Sequence, residues 1–386
     1  MVTSTSQFSD FLPLPRHGAL LTALLAPGPV ASPAARQWLE TVDFDKIDLS
    51  EQRLMPFFNN RLRELLIDHP NKGRVRGLYR RAWYVEQTMN HRLVKVLEIL
   101  EEAESTAVLL KGAALARMVY DHPAHRPYAD LDILVPYEQH QSVLSALASA
   151  GGVIRGRGYH ATNVGLPCGV TVDLHHSPYR LACYPSDVEP LFTRLRQVED
   201  KQSKTANRSG RPLLTLGNAD QLLHTIMHGI VHGLHSSSKP QIRWIVDAVL
   251  LMRQERGKID WDLFESETTR LAFIEPTVVG LREILRHEPD KDVSRVLGQL
   301  ERRTSPLAVE QWFQDRRVPG IIDLWDGTRG NARRLARLAL VASHLIDLYG
   351  AHEIARLSAK KGFAYYLKLY KILRQRYQRR ASRGGV

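Results

Sequence analysis

The chain has 386 residues, enough for two or three domains with a substantial core. At 44% hydrophobic and 24% charged, with no internal repeat and no low-complexity tract, its composition is that of an ordinary globular protein. The formal charge of +12 is unevenly held: residues 331–386 carry a net +11 and the preceding 330 residues a net +1. That argues against a protein coated with nucleic acid along its whole length and for an anionic partner of the basic C-terminal segment.

Two cysteines, Cys168 and Cys183, lie outside any CxxC pair. No disulfide framework or cysteine-built zinc site is expected, and a reducing cytoplasm is the expected location. No run of eighteen or more apolar residues occurs, so no transmembrane segment is predicted.

Along the chain, residues 1–30 are rich in Pro and Ser. The apolar run Ala19–Pro27 is too short and too late for a signal peptide and reads as a short amphipathic helix. From Ala35 to about Ser105 the pattern is helical. The clearest helix spans Arg74–Ala103, with Leu78, Trp83, Met89, Leu93, Val96 and Leu100 at helical intervals. The period then changes. Ala107–Leu110 reads as a buried strand, Lys111-Gly112 turns it into a helix over Ala113–Tyr120, and Leu131–Val135 reads as a second strand. Pro136 leads into a helix over Glu138–Ala150, ended by Gly151-Gly152, and Gly169–Leu174 alternates as a third strand. A polar loop over Lys201–Gly210 separates this α/β part from a helical part that begins at Asn218.

Asp130 and Asp132 flank Leu131 at the start of the second strand. Residues i and i+2 of a strand share a face, so the two carboxylates project together, where their repulsion is costly unless a cation lies between them. Asp173, at the polar end of the third strand, can complete the cluster. Three hard oxygen ligands suit Mg²⁺, two such ions being able to activate an attacking hydroxyl and neutralise a leaving pyrophosphate.

The run LLKGAALARMVYDHPAHRPYADLDILV from Leu109 to Val135, followed by VTVDLHH at Val170–His176, resembles the nucleotidyltransferase superfamily of DNA polymerase beta. More narrowly it is similar to an uncharacterised bacterial nucleotidyltransferase branch with the pattern KG, R-x-x-x-D-x-D, D-x-H. The resemblance covers about residues 105–270. Taken with the periodicity and charge pattern above, which give the parts that the resemblance leaves unexplained, the expectation is an α+β protein: an N-terminal helical region (1–104), a small mixed-sheet catalytic α/β domain (105–200), a helical substrate-side domain (211–330) and basic C-terminal helices (331–386). The resemblance also implies transfer of an NMP group from an NTP to an acceptor with release of pyrophosphate. Asp130, Asp132 and Asp173 would ligate two Mg²⁺ ions, with Mn²⁺ as an alternative.

Carried over by position, Gly112 matches the glycine that lets a triphosphate approach a helix start, where backbone N–H groups favour phosphate. Better-known members have Gly-Ser here, whereas this chain has Gly112-Ala113 and lacks the hydroxyl. Lys111 either supplies a positive charge in its place or faces solvent. Arg126 can grip phosphate, pair with a metal-binding carboxylate, or form a structural pair. His175 shares a face with Asp173 and either takes the acceptor's proton, a role open to Asp173 as well, or orients that carboxylate; His176 points to the other face.

His224, His228 and His232 recur every four residues and read as helix packing or a substrate wall rather than a metal site. Arg243 and Asp247 are spaced for a local helical salt bridge, and in the related branch His228 and Arg243 would face the cleft. In the C-terminal segment, Lys360–Arg383 interleaves Phe363, Tyr365, Tyr366, Leu369, Tyr370 and Tyr377 with basic residues. It reads as a packed amphipathic helix, or as a grip for RNA, an anionic membrane surface or an acidic acceptor. The acceptor class is open between small molecule, peptide, protein side chain and RNA end. Phosphoryl transfer, peptide-natural-product tailoring and a non-catalytic binding role are the alternatives.

Overall fold

The computed structural model describes residues 12–157, 160–179, 185–198, 212–235 and 241–317. The polar loop over Lys201–Gly210 and the basic segment 331–386, where an amphipathic helix is expected from sequence, lie outside the described residues.

Among the described residues five helices precede the sheet, the first four being α1 (His17–Leu25), α2 (Gly28–Thr41), α3 (Leu49–Gln52) and α4 (Met55–Glu64). The apolar run at Ala19–Pro27 is α1, and its Leu20, Leu21, Leu24 and Leu25 are buried in the core. Helix α3 is only four residues long but is closed by a capping box. Asp48 Oδ1 accepts from the Glu51 N–H at 2.9 Å, and Glu51 Oε2 accepts from the Asp48 N–H at 3.0 Å. Helix α5 (Lys72–Glu102) is the long helix the spacing predicts. Its buried stripe runs through Val75, Ala82, Glu86, Met89, Leu93, Val96 and Leu100. Its valines, leucines and methionine each contribute roughly 1.5–3 kcal/mol by their burial. Trp83, expected on this stripe, is 43% exposed. It follows Ala82 by about 100° of helical rotation, which carries it off the core face.

The central layer holds β1 (Val108–Leu109), α6 (Lys111–Met118), β2 (Leu131–Leu134), α7 (His140–Ser149), β3 (Val153–Arg157), β4 (Ala161–Gly165), β5 (Thr171–His175), α8 (Pro185–Phe192), β6 (Arg196–Val198) and β7 (Leu213–Thr215). The strands form one seven-stranded mixed sheet in the order β3-β4-β5-β2-β1-β7-β6. β1 runs parallel to β7 and β2 parallel to β5, while the other neighbours are antiparallel. Three of these strands are legible in the sequence; the other four are not. β3 is exposed along most of its length, the inward residue of β4 beside Val164 is the polar Thr162, and β6 and β7 have three residues each.

Six helices complete the fold among the described residues: α9 (Asn218–His235), α10 (Arg243–Gln254), α11 (Trp261–Arg270), α12 (Ile274–His287), α13 (Lys291–Glu301) and α14 (Pro306–Arg317). α9 and α10 pack closely because Gly229 has no side chain: a Cβ there would lie 2.1 Å from Trp244 Cγ. One hydrophobic core runs from Leu20 through the sheet to Phe313, so helical flanks and sheet share a single interior. The fold class is thus the expected mixed α and β arrangement, with helices at both ends of the central sheet. No helix among the described residues is long and apolar enough to cross a membrane.

Candidate active site

Leu110 follows β1, and its N–H donates to the Asp132 carbonyl at 2.9 Å, which pins the start of α6 beside β2. Lys111 makes the strand-to-helix turn with φ of +45°, a left-handed backbone that costs a non-glycine residue about 1 kcal/mol or more. The turn aims its ammonium at the sheet. Lys111 Nζ donates to Asp132 Oδ1 at 2.5 Å and lies 3.5 Å from His175 Nε2. Gly112 is required by close approach, since a Cβ would sit 2.4 Å from Tyr128 Cβ. Ala113 is 1% exposed and packs in the core, so the position where relatives carry a serine is an interior one here.

The carboxylates come together through register. Asp132 on β2 is the direct partner of Asp173 on β5, and Asp173 is in turn the partner of Asn163 on β4. Side chains in register on adjacent strands share a face. Asn163 Nδ2 accordingly donates to Asp173 Oδ1 at 2.6 Å. His175 is buried under this row, with Nε2 2.9 Å from Asp132 Oδ1 and Nδ1 3.2 Å from the Ser177 carbonyl. The ring is therefore held against Asp132, where the sequence pairs it with Asp173. Burial alone would raise the Asp132 carboxyl; Lys111 and His175 outweigh it and hold the group far below the ordinary carboxylate range. Asp130 is exposed by surface area yet stands in the cleft wall. Partial desolvation there, followed by the charges of Asp132 and Asp173, raises its carboxyl above the ordinary value against the pull of Lys111.

Arg126 lines the cleft and pairs with a buried carboxylate of α10. It is 5% exposed, and its Nε donates to both oxygens of Asp247, at 2.9 and 3.1 Å, while Nη2 donates to Oδ2 at 2.9 Å. Tyr120 completes the cluster by donating its hydroxyl to Asp247 Oδ1 at 2.8 Å. Asp247 is thus committed to Arg126, 121 residues away in the chain, and not to the local helical bridge with Arg243 that the spacing suggests. Arg243 instead donates from Nη1 to the Pro127 carbonyl at 2.7 Å.

These elements enclose a cleft of about 500 Å³, within the range that accommodates a nucleotide-sized ligand. Lys111, Gly112, Arg126, Asp130, Asp132 and Asp173 line it, together with His228 and Arg243 from the helical part. His224 lies buried nearby, its ring held down at about pKa 3, chiefly by burial and then by Lys111 and His175. The side chain of His232 lies outside the described residues. Arg53, between α3 and α4, also lines the cleft, and nothing in its sequence surroundings marks it. Asn163 escapes sequence reading because its partnership with Asp173 requires β4 to be recognised first.

Two groups among the described residues have the geometry of a metal site, with potential ligand atoms all within 4.8 Å of one another. His17, Asp48 and Glu51 form one, but its carboxylates are spent on the α3 capping box and on Arg16, whose Nη2 donates to Asp48 Oδ2 at 2.5 Å. Asp132, Asp173 and His175 form the other, at the cleft. Two carboxylates, with Asp130 beside them, fit a hard divalent cation, and an imidazole in the set is compatible with Mn²⁺ as well as Mg²⁺.

A family model described as an uncharacterised nucleotidyltransferase matches residues 49–283, more than half of the chain. The match takes in α3, the whole sheet and α10, hence every residue of the cleft named above. No curated protein and no solved structure matches the chain.

Proposed function

This chain belongs to a family of uncharacterised nucleotidyltransferases, and from that premise we propose that it moves an NMP group from an NTP to an acceptor hydroxyl or phosphate in a divalent-metal-dependent reaction. The observation that carries the proposal is the lateral pairing of Asp132 with Asp173 on adjacent parallel strands, with Asp130 at the lip of the same cleft. Asp132 and Asp173 offer ligand atoms within 4.8 Å of one another, with His175 in the same group, and Asp130 lines the same cleft. Asp130, Asp132 and Asp173 would hold Mg²⁺, two ions by analogy with the superfamily. Bound there, the metal supplies charge neutralisation of the triphosphate and a lowered pKa for an attacking hydroxyl.

The chain's own groups account for the rest. The Lys111-Gly112 turn offers the first N–H groups of α6 to phosphate oxygens. Lys111 keeps the Asp132 carboxylate ionised, and His175 fixes its orientation from below. Asn163 ties down one oxygen of Asp173 and leaves the other to face the cleft, where it can take the acceptor's proton. The acceptor oxygen bonds to the α-phosphorus, the α–β phosphoanhydride bond breaks, and pyrophosphate leaves.

Incubation with each α-labelled NTP and a panel of candidate acceptors tests the proposal. Label is expected to move to acceptor with release of pyrophosphate, not NDP. EDTA and the substitution Asp132→Asn are each expected to cut transfer by about 10³-fold, several kcal/mol of charge stabilisation. Undiminished turnover in EDTA would falsify the metal mechanism.

A further inference from the structure

The cleft is also lined by cationic side chains, and their charge is only partly matched. Arg53, Arg126 and Arg243 line it. Asp247 neutralises Arg126 through three hydrogen bonds, while among the described residues neither Arg53 nor Arg243 forms an ion pair. Both are half-buried. Burial first, and then the neighbouring charges of Arg126 and Arg53 against the pull of Asp247, bring the Arg243 guanidinium down to about 9. Arg53 is lowered too, by burial and by Arg126, against the pull of Asp130.

This arrangement is held in place by tertiary bonds. The Ser50 hydroxyl of α3 accepts from the Ile242 N–H at 2.9 Å, immediately before Arg243. The capping box of α3 sets the turn from which Arg53 emerges. Arg243 is the first residue of α10, a twelve-residue helix, so its positive end opens on the same cleft as the start of α6 at Lys111. Two unmatched guanidinium forks and two helix N-termini around one cavity have the donor set of a phosphate site.

We propose that Arg53 and Arg243 form a phosphoryl-anion subsite, built jointly by the N-terminal helices and α10, in the same cleft as the carboxylate row. The nucleotidyltransferase reading enters only in naming the carrier of that anion: the donor's triphosphate or a phosphorylated acceptor.

Calorimetric titration of the full chain with inorganic tripolyphosphate, inorganic phosphate and ATP, with and without Mg²⁺, tests it. Arg53→Gln, Arg243→Gln and Arg243→Lys are compared with the native chain, and thermal melts report folding. Each neutral substitution is expected to weaken tripolyphosphate at least tenfold, with Arg243→Lys losing less. Parallel loss for ATP assigns the anion to the donor. Loss for inorganic phosphate with ATP unchanged assigns it to the acceptor. Native protein that binds none of these anions, or folded Arg53→Gln that binds all of them within twofold of native, overturns the proposal. Should Arg243→Gln not fold, Arg53→Gln decides, since no hydrogen bond of the described structure depends on its side chain. Tripolyphosphate binding through Arg53 in a chain that transfers no NMP would retain the subsite and remove the transferase reading; NMP transfer unaffected by Arg53→Gln would do the reverse.

Discussion

On the sheet side of the cleft, Asp130, Asp132 and Asp173 are gathered by strand alternation and register; on the helical side, Arg53, Arg126 and Arg243 come from three distant stretches of chain. The acidic wall is close to self-sufficient. Asp132 is met by Lys111 and His175, and Asp173 by Asn163, all on the sheet or on the turn leaving it. The arginine wall depends on tertiary contacts: Arg126 on Asp247, and Arg243 on the Pro127 carbonyl. The difference teaches that the two charges of this cleft can be damaged separately. Substitutions on the helical side should act on stability and anion binding, and those on the sheet side on chemistry.

The largest effect expected from the helical side comes from Asp247→Ala. Asp247 is 2% exposed and accepts from Arg126 and Tyr120. Its loss leaves a buried guanidinium without a counter-charge and should cost about 3–5 kcal/mol of unfolding free energy. Urea denaturation measures it. A loss below 1 kcal/mol would show that the pair is solvated and that the arginine wall does not rest on it.

The sheet side should respond differently. Asn163→Ala removes the donor that fixes Asp173. Residues that orient a metal-ligating carboxylate typically contribute about 10–100-fold in metal affinity or activity. The expected outcome is a loss of that size in NMP transfer, partly restored by raised metal concentration, with an unfolding midpoint close to native. An unchanged metal requirement would mean that Asp173 is positioned by register alone.

The same contrast explains what the sequence could reveal. The carboxylates are legible because spacing within one strand, D-x-D, already implies a shared face, and the fold follows from three apolar strands with helices between them. The long helix α5 is legible for the same reason, its buried stripe recurring at helical intervals. The remaining strands are not, since β3 faces solvent and β4 turns a threonine inward. Arg53 sits in a short polar stretch with no periodic context, and tertiary contacts such as the bond from Ile242 to Ser50 bring it across to Arg243. Arg243 and Asp247 mislead in the other direction: helical spacing puts them four apart, but a buried carboxylate takes the partner with the better fork, and that is Arg126. Local chemistry is visible in local sequence; a wall assembled across a cleft is not.

The smallest effect sharpens the comparison most finely, because it asks whether the acidic wall strains the fold when no cation is present. Desolvation in the cleft and the charges of Asp132 and Asp173 raise the Asp130 carboxyl above its ordinary 3.8. A group raised in this way favours the fold only while protonated. Its contribution is complete below the ordinary pKa and is lost as pH rises through the raised one. Asp130→Asn keeps the shape and removes the charge, so in EDTA the variant should overtake the native chain in stability as pH rises from 4 toward neutrality, ending ahead by only a few tenths of a kcal/mol, because the side chain is exposed and screened. Urea midpoints at several pH values measure the gap. A gap that stays flat across this range would show that Asp130 stands apart from Asp132 and Asp173 electrostatically. A gap that opens and then closes when Mg²⁺ is added would mean that the repulsion is relieved by the cation the three carboxylates are proposed to hold, so that the acidic wall gives up a little stability for a binding site, as functional sites commonly do.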